Sequence, residues 1–276
     1  MDRKGFLLLV LAAIGWSLSG VIIKVVDMNA LPIAFYRCAV AAVFLGFLNR
    51  GKTKMLNKSS TYIAVSYACA VILLVVSTKA TTAANAIILQ YAAPAFVFFI
   101  SIPILKEYPT RKDWWVLLST VIGIGCIFSQ TEGGDLWGML CGLGSGLGFA
   151  VLTVLLRRYQ QHNPLWSICL NNLCVALMLL PWVYDDLAVS AVDFVLMLLM
   201  GIVQLGGPYV LYAYALRRVK ARDAALVSLL EPLLNPLWVY LCVAEVPAAM
   251  TFVGGAFIFL GLVTRFVPFG RLYSTR

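Results

Sequence analysis

The stretch from Ala224 to Val243 is apolar, yet it carries Ser228, Glu231, Asn235 and Trp238 at spacings of 3, 4 and 3. That spacing puts all four on one face of a helix. Glu231 is the only acid that lies deeper than the first two residues of any of the long apolar stretches. A carboxylate at membrane depth is costly unless it faces protein or water. Such a group can bind a cation or exchange a proton, or it can be held by neighbouring hydroxyls and amides for packing specificity. Cavity-facing and structural readings are both open.

A second polar face lies in residues 84–105, with Gln90, Pro94, Phe98 and Ser101, and with Tyr91 beside Gln90. A helical proline frees the carbonyl four residues earlier: Gln90 for Pro94, Gln204 for Pro208 and Ser228 for Pro232. Freed backbone at depth is tolerated where it meets polar groups or a wet cavity. Gly206-Gly207-Pro208 loosens its stretch next to Tyr209 and Tyr212, although each proline could also simply kink its helix to fit. Trp16 and Ser19 share a face near the start of the chain. The candidate cavity residues are therefore Trp16, Ser19, Gln90, Tyr91, Pro94, Phe98, Gln204, Tyr212, Ser228, Glu231, Asn235 and Trp238. Glu231, Arg37 and Lys24 are the candidate coupling or charge sites. Lys24 stands near the end of its stretch, where it is expected to snorkel. Arg37 lies about two turns inside and fits an anionic group, a carbonyl or Asp27. Gly134, Gly138, Gly142 and Gly146 make a small-residue ridge for close packing or sliding, not a ligand site.

Other chemistry is absent from the sequence. No GxxxxGK[ST] loop exists for ATP. The single histidine, His162, has no cysteine near it, and the seven cysteines show no CxxC pair, so no metal site or disulfide framework is indicated. No cofactor and no enzymatic activity are expected. The net charge of +9 comes without a basic face or an aromatic platform, so nucleic acid is not the expected partner.

The elements that position these residues follow from composition. Hydrophobic residues are 62% and charged residues 12%, with a mean hydropathy of +0.92. A soluble domain carries about 25% charged residues. Long continuous apolar runs, without the alternation of a barrel, predict an all-α membrane protein. Spans are expected at about 5–26, 31–48, 61–79, 84–105, 113–130, 134–156, 165–183, 192–214, 222–243 and 249–267. The first, which follows Met-Asp-Arg-Lys, has no small-residue cleavage site and reads as a retained helix. With the N-terminus inside, Arg3, Lys4, Arg50, Lys52, Lys54, Lys106, Arg157, Arg158, Arg217, Arg218, Lys220, Arg271 and Arg276 all fall inside. Among outside segments only Lys79 is basic, while Asp27, Glu132, Asp185, Asp186 and Glu245 are acidic. This bias predicts ten transmembrane helices with both termini cytoplasmic.

A shift of 138 residues aligns Ala83 with Ala221, Pro94 with Pro232, Glu107 with Glu245, Pro109 with Pro247, and Gly123 with Gly261. The expectation is two repeats, residues 1–130 and 131–276, of five helices each. An odd number of crossings turns the second repeat upside down, a recurrent plan of secondary transporters with a midplane site. The residue matching Glu231 is Ala93, so the halves are chemically unequal.

The first half carries Gly15-Trp16 with Lys24, Pro32 with Ala34-Phe35-Tyr36-Arg37, and Thr82-Ala83-Ala84-Asn85-Ala86 with Gln90, Pro94 and Glu107. The second carries Ala221, Asp223-Ala224-Ala225, Leu230-Glu231-Pro232 and Glu245. In the order and spacing of these motifs the chain resembles the EamA-type members of the drug/metabolite transporter superfamily. The resemblance implies ten helices in two inverted repeats, a central cavity lined by spans 1, 3, 4, 6, 8 and 9, and export of amino acids or related metabolites without ATP. Ser77-Thr78-Lys79 departs from the family's usual aromatic and leucine at that place.

The expected function is a secondary transporter of small amphipathic metabolites, amino acids first, in a bacterial inner membrane, with the proton as a candidate coupling ion. The lipid bilayer and a small-molecule substrate are its expected partners; oligomeric state is not legible. Two rivals are a carrier of anionic or phosphorylated metabolites, which needs a basic cavity, and a non-transporting scaffold or sensor subunit.

Overall fold

The computed structural model describes residues 2–49, 58–108, 110–129, 135–159 and 164–266. Arg50, Lys52, Lys54, Pro109, Glu132, Gly134, His162, Arg271 and Arg276, on which parts of the charge and repeat patterns rest, lie outside the described residues. All regular structure among the described residues is helical.

Among the described residues eight helical rods are long and apolar enough to cross a bilayer: Arg3–Val25, Ala30–Leu48, Ser59–Ala80, Ala83–Leu105, Leu136–Tyr159, Pro164–Asp186, Ala191–Ala215 and Asp223–Val243. Two further long helices are Arg111–Phe128 and Ala249–Phe266. Their outer faces keep large apolar side chains exposed, such as Val43 at 74% and Leu260 at 63%. Only lipid solvates so many at once. Trp137, Trp182 and Tyr184, and separately Tyr108, Trp114 and Trp115, are likewise exposed, as aromatic residues at bilayer interfaces are.

Several rods are broken where the sequence carries proline. The first rod divides at Leu18 without a proline, into α1 (Arg3–Ser17) and α2 (Ser19–Val25). α3 spans Ala30–Leu48 and α4 Lys58–Ala80. The next rod divides into α5 (Ala83–Gln90) and α6 (Ala93–Leu105), with Pro94 in the first turn of α6. There its missing N–H costs nothing. α7 is Arg111–Phe128, opened by a capping box of Thr110 and Asp113 in which the Thr110 N–H donates to Asp113 Oδ2 at 2.8 Å. α8 is Leu136–Tyr159 and α9 Pro164–Val183. α10 (Ala191–Leu199) widens into a π-helix over Met200–Gly206 before Pro208 opens α11 (Gly207–Ala215). The last two rods are α12 (Ala221–Ser228) with α13 (Leu230–Val243), and α14 (Ala249–Phe266). Pro232 stands in the first turn of α13. Pro103, Pro181 and Pro236 stay inside helices without a break.

Helix bounds coincide at the same offset of 138. Ala83–Gln90 corresponds to Ala221–Ser228, and Arg111–Phe128 to Ala249–Phe266. The two non-glycine residues in the left-handed region, Lys106 (φ 55°) and Ala244 (φ 56°), are corresponding C-caps of α6 and α13. Packing joins α7 to α14, α3 to α9, α4 to α8 and α1 to α11. Where α7 crosses α14, a Cβ on Gly123 or on Gly254 would run into the other's carbonyl oxygen, so glycine sets this approach. Gly138, Gly142 and Gly146 let α8 lie against the end of α4 and against α5: Cβ atoms there would stand 2.8 Å from Ala80 C, 3.0 Å from Ser77 Oγ and 3.0 Å from Leu89 O.

Candidate functional site

A cavity of about 630 Å³ opens among the broken helices. Trp16 and Ser19 come from α1 and α2, and Gln90, Tyr91, Pro94 and Phe98 from α5, α6 and the break between them. Gln204 and Tyr212 come from the π-helix and α11, and Ser228 and Glu231 from the two sides of the α12–α13 break. Arg37 of α3 joins this wall. Of the expected cavity residues, the structure brings all of these together. Asn235 and Trp238 stand elsewhere on α13. The Asn235 amide donates to Ser19 Oγ at 3.1 Å and Trp238 Nε1 donates to Ser17 Oγ at 2.9 Å, so both seal α13 onto the first rod. Helical spacing gave these residues their common face with Glu231 but not the neighbour that face meets.

The deepest part is polar. The Tyr91 hydroxyl donates to Glu231 Oε2 at 2.9 Å and reaches the Ser228 carbonyl at 3.2 Å. This is the carbonyl whose helical partner Pro232 removes. Gln90 Nε2 donates to Ser145 Oγ at 2.9 Å, and Ser145 Oγ donates to the Ala70 carbonyl at 2.6 Å. Gln204 is 2% exposed; its Nε2 donates to the Trp16 carbonyl at 3.3 Å while its Oε1 has no hydrogen-bond partner among the described residues. Arg37 is 3% exposed, and its Nε and Nη1 have no hydrogen-bond partner among the described residues. The Trp16 ring packs against Tyr209 and Tyr212 at 5.3 Å each, which makes one wall aromatic.

At one end the cavity runs out past Ser101 and Leu105 to Glu107, Tyr108, Asp113 and Arg157. Tyr108 is 82% exposed, and Arg157 Nη2 pairs with Glu107 Oε1 at 2.6 Å at this mouth. At the opposite end Lys24 Nζ pairs with Glu245 Oε2 at 2.6 Å and donates to the Thr81 carbonyl at 2.7 Å. Glu245 Oε1 accepts from the Ala83 N–H at 2.8 Å. Lys79 Nζ donates to the Val26 carbonyl at 2.6 Å. Ile23, Val26 and Val75 are fully buried here. This corrects the snorkelling expected of Lys24: a half-buried carboxylate in the other half of the chain holds it. Ser77 and Thr78 are buried at the same closed end, and Lys79 is held there by Val26, so the departure at Ser77-Thr78-Lys79 does not touch the cavity wall.

The sequence reading left out Tyr67, Tyr209 and the mouth pair Glu107–Arg157. Tyr67 donates to Asn172 Oδ1 at 3.2 Å. Its signal was the spacing of Tyr67, Val71 and Leu74 on one face of α4. Tyr67, Phe149, Thr153 and Tyr209 also line a neighbouring cleft of about 590 Å³ against α9. Among the described residues no group of His, Cys, Asp or Glu could hold a metal ion.

The model of the EamA-like transporter family matches residues 3–129 and 136–266. A protein of Archaeoglobus fulgidus described as an uncharacterized transporter is 28% identical over 272 residues, covering 95% of this chain and 96% of its own. The pseudopaline exporter CntI of Pseudomonas aeruginosa is 27% identical over 273 residues, covering 95% of both chains. The uncharacterized transporter YwfM of Bacillus subtilis is 26% identical over 274 residues, covering 93% of this chain and 92% of its own. One crystal structure superposes with a TM-score of 0.65 at 14% identity, covering 96% of this chain and 97% of its own. That likeness speaks to the fold alone.

Proposed function

The chain belongs to the EamA-like transporter family, a multi-pass membrane protein, and we propose that it is a secondary exporter of small amphipathic metabolites, amino acids first, working by alternating access. The observation that carries this reading is the cavity itself. It reaches from Trp16 and Glu231 out to Arg157 and Tyr108, while Lys24 and Glu245 tie the far end shut. A site open to one face and latched at the other is half of an alternating-access cycle.

The full architecture in this reading is ten crossings in two inverted five-helix repeats, residues 1–130 and 131–276, with both termini cytoplasmic. The coincident bounds of α5 with α12 and of α7 with α14 support the repeat. The basic residues Lys106, Arg157 and Arg158 cluster at the open end, which supports a cytoplasmic mouth in a bacterial inner membrane. The relative named as an exporter supports the outward direction. Glu231 is the group placed to exchange a proton, and the chain acts as a carrier, not an enzyme.

The rival reading, a carrier of phosphorylated metabolites, draws on Arg37. It is weakened by Glu231 in the same wall and by Lys24, which is already paired with Glu245. The test is counterflow of a labelled amino-acid panel, and of sugar phosphates, into proteoliposomes. Amino-acid flux above empty liposomes supports the proposal. Flux of the phosphates only would replace it.

A further inference from the structure

We infer that Arg37 is the carboxylate anchor of the cavity, and that Arg37 and Glu231 together select a compound bearing an anionic and a cationic group at once. This rests on the reading that the cavity holds the transported compound. Arg37 makes no hydrogen bond or ion pair among the described residues, although it is 3% exposed and lines the cavity. Neither Asp27 nor a carbonyl takes it. A guanidinium keeps its charge and offers five donors in a planar fork suited to a carboxylate. Left without water or a ligand at this depth it would be strongly disfavoured.

The acceptors of the cavity are equally unspent. Glu231 has its Oε2 on Tyr91 and, among the described residues, no ion pair, although Arg37 is near enough to act on it through space; Gln204 Oε1 has no hydrogen-bond partner among the described residues. No ion pair joins Arg37 to Glu231 among the described residues, so the two charges are left for a guest. A plain amine satisfies Glu231 and leaves Arg37 bare. A monoacid does the reverse, and a polyanion meets Glu231. A zwitterion satisfies both, with its apolar part on Trp16, Tyr209 and Tyr212.

The test is binding to the purified protein, read by its thermal stabilisation. Each standard amino acid is compared with its decarboxylated amine and its N-acetylated acid. On the wild type at least one amino acid should bind about tenfold or more tightly than both of its analogues. Arg37→Gln should bring that amino acid down to the level of its amine, and Arg37→Lys should recover part of the preference. An amine bound as well as its amino acid on the wild type overturns the anchor, whether or not Arg37→Gln folds. So does Arg37→Gln with an unchanged preference, or a panel with no binder. Binding without flux in proteoliposomes retires the carrier and keeps the anchor; flux with an unchanged Arg37→Gln preference does the opposite.

A different observation carries a second inference. Glu107 and Glu245 each directly follow a left-handed C-cap, Lys106 and Ala244, and each accepts an ion pair at 2.6 Å. They sit at opposite ends of the molecule. Side chains of the Lys24–Glu245 pair are 17% and 18% exposed, and those of the Arg157–Glu107 pair 66% and 42%. Glu245 also caps the Ala83 N–H that opens α5. At the corresponding place α12 opens at Ala221, and its N-cap Lys220 supplies no side-chain cap. We propose that the two glutamates are alternate latches: when the cavity turns to the other face, Glu245 releases Ala83 and Glu107 caps Ala221.

Hydrogen exchange tests this on the intact protein. Glu245→Gln should speed exchange of the peptide opening α5 and slow that of the peptide opening α12, each by several-fold to about tenfold. Adding Glu107→Gln should remove the slowing at α12. If Glu245→Gln leaves the α12 peptide unchanged or faster, or the double variant keeps the slowing, the latch exchange is wrong.

Discussion

The Tyr91 hydroxyl lies 2.9 Å from Glu231 Oε2 and 3.2 Å from the Ser228 carbonyl oxygen. One phenol from the break between α5 and α6 therefore serves the acid and the freed backbone of the break between α12 and α13. The two breaks meet through this residue, so the helices that flank the cavity are coupled at its deepest point.

Removing that hydroxyl leaves a carboxylate oxygen and a carbonyl without a protein partner. Tyr91→Phe should cost about 1–3 kcal/mol of stability, read as a lowered melting temperature of the purified protein. It should also reduce flux. A variant as stable as the wild type would mean that water takes over both contacts.

Glu231→Gln keeps the shape and an acceptor for Tyr91 but cannot exchange a proton. Its melting temperature should stay close to that of the wild type, while flux, weakened by loss of the carboxylate that meets the cationic group of the substrate, should no longer respond to an imposed pH gradient. A gradient response equal to that of the wild type would remove Glu231 from coupling.

The Lys24–Glu245 pair is mostly withdrawn from solvent. Breaking a withdrawn pair from one side strands a charge, whereas replacing both ends with apolar groups does not. Lys24→Met should destabilise by about 1–3 kcal/mol, and the Lys24→Met, Glu245→Met double variant by less than the two singles together. Strict additivity in the thermodynamic cycle would show that the pair is not coupled.

At the α7–α14 crossing, Gly123→Val drives a side chain into the Gly254 carbonyl. The loss should be about 1–3 kcal/mol or more, with no rescue from Gly254→Val. At Gly125, with nothing near its Cβ, alanine should be tolerated.

Much of this was legible because lipid imposes long apolar helices on any chain that crosses it. Proline acts locally, so Pro94, Pro208 and Pro232 mark the breaks from sequence. The common face of Ser228 and Glu231 also follows from spacing. What could not be read was the partner of each face. Asn235 and Trp238 share that face, yet they meet Ser19 and Ser17. Lys24 meets a glutamate in the other half of the chain, a contact made by tertiary packing that no local pattern encodes. The π-helix before Pro208 was foreseen only as loosening, since the register of a widened turn depends on what packs against it.

The account stands most directly on flux. Purified protein in liposomes, loaded with an unlabelled amino-acid panel and given the labelled compounds outside, should show counterflow above empty vesicles, and an imposed pH gradient should change its rate. Absence of counterflow for every amino acid, with protein shown to be folded by its melting transition, would contradict the proposed exporter.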